Sequence, residues 1–136
     1  MQIPFDSRWT GKTAERTVRI TANLVAQFVA LSGDCSPIHI SDDSAIARGF
    51  RGRVVHGMLL GALLSGVIGT ELPGANGVLQ SVELSFRQPC EIGDIITIFV
   101  SVADFHESVK TLVLRVQIKR QDGTTLVSGL IRSGIL

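Results

Sequence analysis

The stretch GMLLGALLSGVIG, from Gly57 to Gly69, limits the fold more than any other part of the chain. It carries no charge and is apolar on nearly every face, yet it falls short of the roughly 18 residues that a membrane span needs. It therefore reads as a buried helix that opens at His56-Gly57, continues to about Thr70, and is wrapped on all sides by other elements. Beyond it the hydrophobic period changes from 3.6 to 2. Val82, Leu84 and Phe86 alternate with Glu83, Ser85 and Arg87, and Ile96, Ile98, Val100 and Val102 alternate with Thr97, Phe99 and Ser101. Leu112, Leu114, Val116 and Ile118 repeat the pattern, and Asp122-Gly123 supplies a hairpin turn into TLVSGLIRS. The pattern predicts an α+β domain spanning residues 1–136, with an antiparallel sheet curled around one hydrophobic helix.

The N-terminal third reads as a strand, ERTVRI, followed by helices. Thr21 is placed to cap a helix in which Leu24, Phe28 and Leu31 recur at i, i+4 and i+7, and Gly33 suits its exit. Ser41 then caps a short helix whose dipole Asp42 and Asp43 complement and which Gly49 ends.

Hydrophobic residues make up 45 % of the chain and charged residues only 18 %, below the roughly 25 % usual for soluble domains. So little charge implies surface hidden against a partner, most simply in a homodimer. With a net charge of +1 and no basic cluster beyond Arg48, Arg51 and Arg53, nucleic acid is not an expected partner, and neither is a membrane. MQIPFDSRW has neither the basic nor the apolar region of a signal peptide. Cys35 and Cys90 stand alone without metal-site spacing. Together these features point to the cytoplasm.

Chemistry concentrates in SGDCSPIH, residues 32–39, where Asp34 and His39 flank a proline just after VAQFVAL. One reading makes Asp34 a turn residue and His39 a half-buried imidazole bonded to backbone. The other makes them a water-activating pair, held at fixed separation because Pro37 removes one backbone freedom. Gly57, at the start of the apolar helix, adds unpaired N–H groups and the positive dipole end, which favour a developing negative oxygen, and lets a carbonyl approach closely.

The stretch FVALSGDCSPIHISDDSAIARGFRGRVVHGMLLGALLSGVIG resembles the core motif of the MaoC-like hydratases, and is especially similar to the (R)-specific enoyl-CoA hydratases. The family's D-x-N-P-x-H loop, short helix, phenylalanine and HGM-type helix entry all have counterparts except the asparagine, where Ser36 stands. Serine can still bond the loop backbone, but it is shorter and lacks the amide's two donors. FRQPCEIGD and the alternating strands extend the likeness over nearly the whole chain. The resemblance implies a hot-dog fold, normally a dimer with the sheets of two subunits joined edge to edge. It also implies a thioester substrate carried on coenzyme A or acyl carrier protein. Asp34 and His39 match the catalytic pair, Gly57 the residue whose N–H binds the thioester oxygen, and Ser65 a supporting pocket serine. Ile68, three residues further along the helix, would lie one turn deeper and limit the acyl chain.

The expected reaction is reversible addition of water to a trans-2-enoyl thioester, giving the (R)-3-hydroxyacyl thioester, with no metal or redox cofactor needed. The rivals are an acyl thioesterase and an acyl-carrier binding protein without turnover, both on the same fold. His56 is expected to order the loop, and His106, in the DFHES turn with no partner nearby in sequence, to be solvated. Cys35 has no cationic neighbour to lower its pKa. Arg51 and Arg53 either meet phosphates of the carrier or form an ordinary solvated loop.

Overall fold

Residues 9–136 are described by a computed structural model. The segment before Trp9, where no signal peptide was expected, lies outside those residues. Five strands form one sheet in the order β1-β3-β4-β5-β2, every pair antiparallel. They are β1 (Thr13–Arg19), β2 (Gly77–Phe86), β3 (Ile95–His106), β4 (Thr111–Arg120) and β5 (Thr125–Ile135). Four helices lie between β1 and β2: α1 (Ala22–Ser32), α2 (Pro37–Ile40), α3 (Asp42–Ala47) and α4 (Gly57–Thr70). The sheet and α4 give the α+β arrangement that the alternation and the apolar run predict.

The period-2 residues of the central strands form the core. Ile96, Ile98 and Val100 of β3 and Leu112, Leu114, Val116 and Ile118 of β4 are all buried, against Leu59, Leu60, Leu64, Val67 and Ile68 of α4. Each such side chain contributes about 1.5–3 kcal/mol when fully buried, so this one-sided patterning fixes the register of the sheet on the helix. Gly129 of β5 lies where a Cβ would strike the Glu83 carbonyl, so β5 and β2 approach as they do because that position has no side chain.

The expected caps form. Thr21 accepts the Leu24 N–H at 3.2 Å, and Gly33 ends α1 in the left-handed region at φ 74°, its N–H donating to the Val29 carbonyl. Ser41 accepts the Ser44 N–H at 3.1 Å. The helix it caps stops at Ala47, with Gly49 at φ 91° in the turn that follows.

Four expectations need correction. Leu31 is 82 % exposed and Val25 is the buried residue of α1, because the helix leaves the core before its last turn. α4 is not wrapped on all sides: Met58, Ala62, Ser65 and Gly69 face outward. Val82 and Phe86 are about half exposed, since β2 is an edge strand paired only with β5. His106 ends β3 with its Nε2 3.8 Å from Asp104 Oδ2, a partner two residues back on the same strand face. No helix among the described residues is long and apolar enough to cross a membrane.

Candidate active site

The loop that leaves α1 is braced by its own polar atoms. Ser32 Oγ donates to the Phe28 carbonyl at 2.7 Å and accepts the Asp34 N–H at 3.1 Å. Asp34 Oδ1 in turn accepts the Ser36 N–H at 3.2 Å, which aims the carboxylate back over the loop. Ser36 is the N-cap of α2 and its side chain makes no capping bond. What position 36 contributes here is its backbone N–H, which any residue but proline supplies. Pro37 occupies the first turn of α2, where its missing N–H costs nothing.

That short helix delivers His39, which is 9 % exposed. Its Nδ1–H donates to the Val54 carbonyl at 2.6 Å. In the neutral ring this leaves Nε2 as the acceptor, 3.9 Å from Asp34 Oδ2. Val54 is held beside α2 because its N–H donates to the Ile38 carbonyl at 2.9 Å, and Asp42 Oδ1 fixes the preceding residue by accepting the Arg53 N–H at 2.9 Å. The Val54 carbonyl has no signature in sequence, since any residue carries one.

His56 follows in the same segment, fully buried. Its Nε2–H donates to the Asp34 carbonyl at 2.9 Å, and its ring stacks on that of His39 with centroids 3.8 Å apart and planes 23° off parallel. Phe28 of α1 closes the other side, its centroid 4.8 Å from that of His56. His56 also precedes α4, so the N–H groups of Gly57 and Met58 begin the helix with no acceptor among the described residues.

Two cavities flank the start of α4. The first, about 370 Å³, is lined by His39, Gly57, Leu60, Phe86, Arg87 and Cys90 among others. The second, about 380 Å³ and almost wholly apolar, is lined by Phe28, Met58, Ser65, Leu84, Ile68 and Ile131 among others. His39 and Gly57 thus line one cavity, Asp34, braced by the Ser36 N–H, stands beside His39, and Ser65 and Ile68 line a neighbouring apolar space. Phe86, which the alternation assigns to the core, instead forms a wall of the first cavity.

Asp34, His39 and His56 each offer one ligand atom within 4.8 Å of the others, a grouping that could hold a cation. Two of the four imidazole nitrogens, however, already donate to backbone carbonyls, and the stacked rings do not converge on one point. Cys90 forms part of the first cavity's wall as a buried thiol, its pKa raised from 9.0 to about 12 mainly by burial and then by Asp94. It is therefore no nucleophile at neutral pH. Cys35 is exposed. Arg51 and Arg53 line a separate cleft with Asp42 and Glu91, where the two carboxylates oppose phosphate binding.

Comparison with known proteins agrees over most of the chain. The model of the MaoC like domain matches residues 9–123. An (R)-specific enoyl-CoA hydratase of Aeromonas caviae is 37 % identical over 119 residues, covering 88 % of this chain and 89 % of that protein. A 3-hydroxybutyryl-CoA dehydratase of Methylorubrum extorquens is 38 % identical over 100 residues, covering 74 % of this chain and 64 % of that one. The unliganded R-hydratase structure from Pseudomonas aeruginosa superimposes with a TM-score of 0.90 at 30 % identity, covering 98 % of this chain and 85 % of its own.

Proposed function

This chain belongs to the MaoC-like family and has its hot-dog fold, and on that premise we propose that it adds water reversibly to a trans-2-enoyl thioester, giving the (R)-3-hydroxyacyl thioester. The activity is that of a hydro-lyase. Relatives named as a hydratase and as a dehydratase support both directions of the reaction, and both names specify coenzyme A as the carrier.

The observation that carries the reading is the separation of Asp34 Oδ2 from His39 Nε2. At 3.9 Å the two atoms are too far apart to bond each other directly. A water about 2.8 Å from each would subtend an angle of about 90° between them, close enough to tetrahedral to give one hydrogen to each. Such a water has its oxygen lone pairs free to attack Cβ of the enoyl group. One member of the pair takes a proton as the C–O bond forms, and the pair returns a proton to Cα. The Gly57 N–H, at the positive end of α4, receives the thioester oxygen as enolate charge develops on it, which is where donors lower a barrier most.

Ser65 and Ile68 belong to the space for the acyl chain, and the apolar lining of their cavity suits a hydrocarbon. The active form is a homodimer, joined at the free edge of β2, where Val78, Leu79, Val82 and Phe86 expose apolar surface. Light scattering should give twice the 14.6 kDa of one chain; a fully active monomer would rule that assembly out. The two free cysteines favour a reducing cytoplasm.

Crotonyl-CoA tests the reaction. Absorbance of the conjugated enoyl thioester should fall with no release of free thiol. Thiol release would make the protein a thioesterase, and neither change would make it a binding module.

A further inference from the structure

We propose that His56 is the positioning residue of this site, holding Asp34 and His39 in register with each other and with the N-terminus of α4. The inference rests on the hydratase reading above. Three contacts converge on this one buried residue, two through its side chain and one through its backbone. Its Nε2–H anchors the Asp34 carbonyl at 2.9 Å, which sets the height of the loop that carries the carboxylate. Its face stacks on the His39 imidazole at 3.8 Å, which fixes the plane in which His39 Nε2 points. Its backbone is the N-cap of α4, so the same residue also places the open Gly57 N–H. A shift of His56 would move all three groups together.

The fourth observation separates a functional role from simple packing. His56 Nδ1 is buried and has no hydrogen-bond partner among the described residues. With Nε2 donating to Asp34, Nδ1 is a bare acceptor, and such groups are rare in protein interiors because they lose water without gaining a replacement. Phenylalanine, a slightly larger ring, would keep the ring stack and leave no such acceptor. Asp34, whose carbonyl it would release, is an exposed loop residue, and the bond itself is part-buried. Since one such bond stabilises only modestly and the bare acceptor offsets it, stability alone gives little reason for histidine here. The bond to Asp34 does, because it is the one interaction that phenylalanine cannot make.

Two variants test this on the intact protein. His56→Phe keeps the stack and loses the donor, whereas His56→Gln keeps an N–H at the position of Nε2 and loses the ring. Crotonyl-CoA turnover by His56→Phe should fall on the order of 10–100-fold in kcat, with KM changed by less than about threefold. Its melting temperature should stay close to that of the wild type, the lost bond and larger ring offsetting the removed acceptor. His56→Gln should recover kcat to within about fivefold of wild type. A readout independent of turnover is the amide NMR signal of Cys35, whose nitrogen is bonded to the Asp34 carbonyl. Its nitrogen shift, which responds to a hydrogen bond on the preceding carbonyl far more than to ring currents, should move in His56→Phe and stay close to wild type in His56→Gln.

Wild-type kcat in His56→Phe, or a Cys35 amide unmoved in it, would overturn the positioning role while leaving the hydratase reading intact. So would a loss of kcat in both variants that tracks a fall in melting temperature. Absence of hydration by the wild type would instead overturn the reading on which the role depends.

Discussion

The Phe86 ring lies directly against Gly57: a Cβ built on that glycine would sit 2.8 Å from Phe86 Cε1 and 3.1 Å from Cδ1. The crowding atoms are the far end of a side chain that also borders the His39 cavity, so the ring can yield into that space. Gly57→Ala should consequently fold well, since Gly57 has no left-handed backbone to strain and alanine favours a helix. The displaced ring has the His39 cavity beside it, however, and the added methyl stands where a thioester carbonyl would approach. Loss of kcat/KM on the order of 10²-fold at an unchanged melting temperature is the expected result. Full activity in Gly57→Ala, which keeps the N–H, would show that the thioester carbonyl does not need the space beside the Cα of residue 57.

Asp34→Asn and His39→Asn probe the pair with little damage to the loop. Asparagine at 34 retains an oxygen for the Ser36 N–H, and asparagine at 39 can place its amide N–H where Nδ1 meets the Val54 carbonyl. Each should lower kcat/KM for crotonyl-CoA by about 10²–10⁴-fold without loss of fold. A folded variant losing less than about tenfold would return that residue to a turn or packing role.

The two cysteines should differ sharply in reactivity. Cys35 is exposed, whereas burial and Asp94 hold the Cys90 thiol up at about 12. A thiol reagent near pH 8 should label Cys35 alone in the native protein and both cysteines after denaturation. The same shift has a consequence for stability. In the unfolded chain Cys90 ionises near 9.0, but the folded chain keeps it protonated up to about 12. Its contribution is therefore complete below about pH 9 and is lost as the pH rises toward 12. Unfolding free energy should fall more steeply across that window in the wild type than in Cys90→Ala. Equal slopes would place the thiol in contact with solvent.

Where a residue's fate depended on its near neighbours in sequence, the sequence was a good guide. Thr21, Gly33 and Ser41 cap helices as their types predict, and the alternation in β3 and β4 picks out the sheet core. Asp34 and His39 meet because the four residues between them, one a proline, leave them little choice. Legibility failed where the outcome depended on position within the whole fold. Leu31 continues an apolar stripe past the point where α1 leaves the core, and Val82 and Phe86 alternate correctly on a strand that proves to be an edge. The apolar run of α4 identifies a helix without showing that Met58 and Ser65 face outward. The resemblance assigns Ser65 to the site of His39, and Ser65 lines the cavity that neighbours the one His39 lines. His56 stacks on His39 across a gap of sixteen other residues, and no periodicity reports such a contact. The Asp104–His106 pair was missed although residues two apart share a strand face, because DFHES reads as a turn.

Ile68 is 6 % exposed and lines the apolar cavity together with Ser65, Phe28 and Leu84. If that cavity receives the acyl chain, shortening this side chain lengthens the space available. Ile68→Ala should then favour longer substrates, because each methylene newly buried contributes up to about 0.8 kcal/mol, or about fourfold in kcat/KM. The same truncation leaves a void in the α4 packing and costs about 2–5 kcal/mol of stability, so melting must be measured alongside. The comparison is kcat/KM for crotonyl-, hexenoyl- and octenoyl-CoA in wild type and variant, below the melting temperature of both. A gain that grows with chain length places Ile68 on the wall of the acyl space. An unchanged ratio across the three substrates assigns it to the core alone, and the apolar cavity would then need a different occupant.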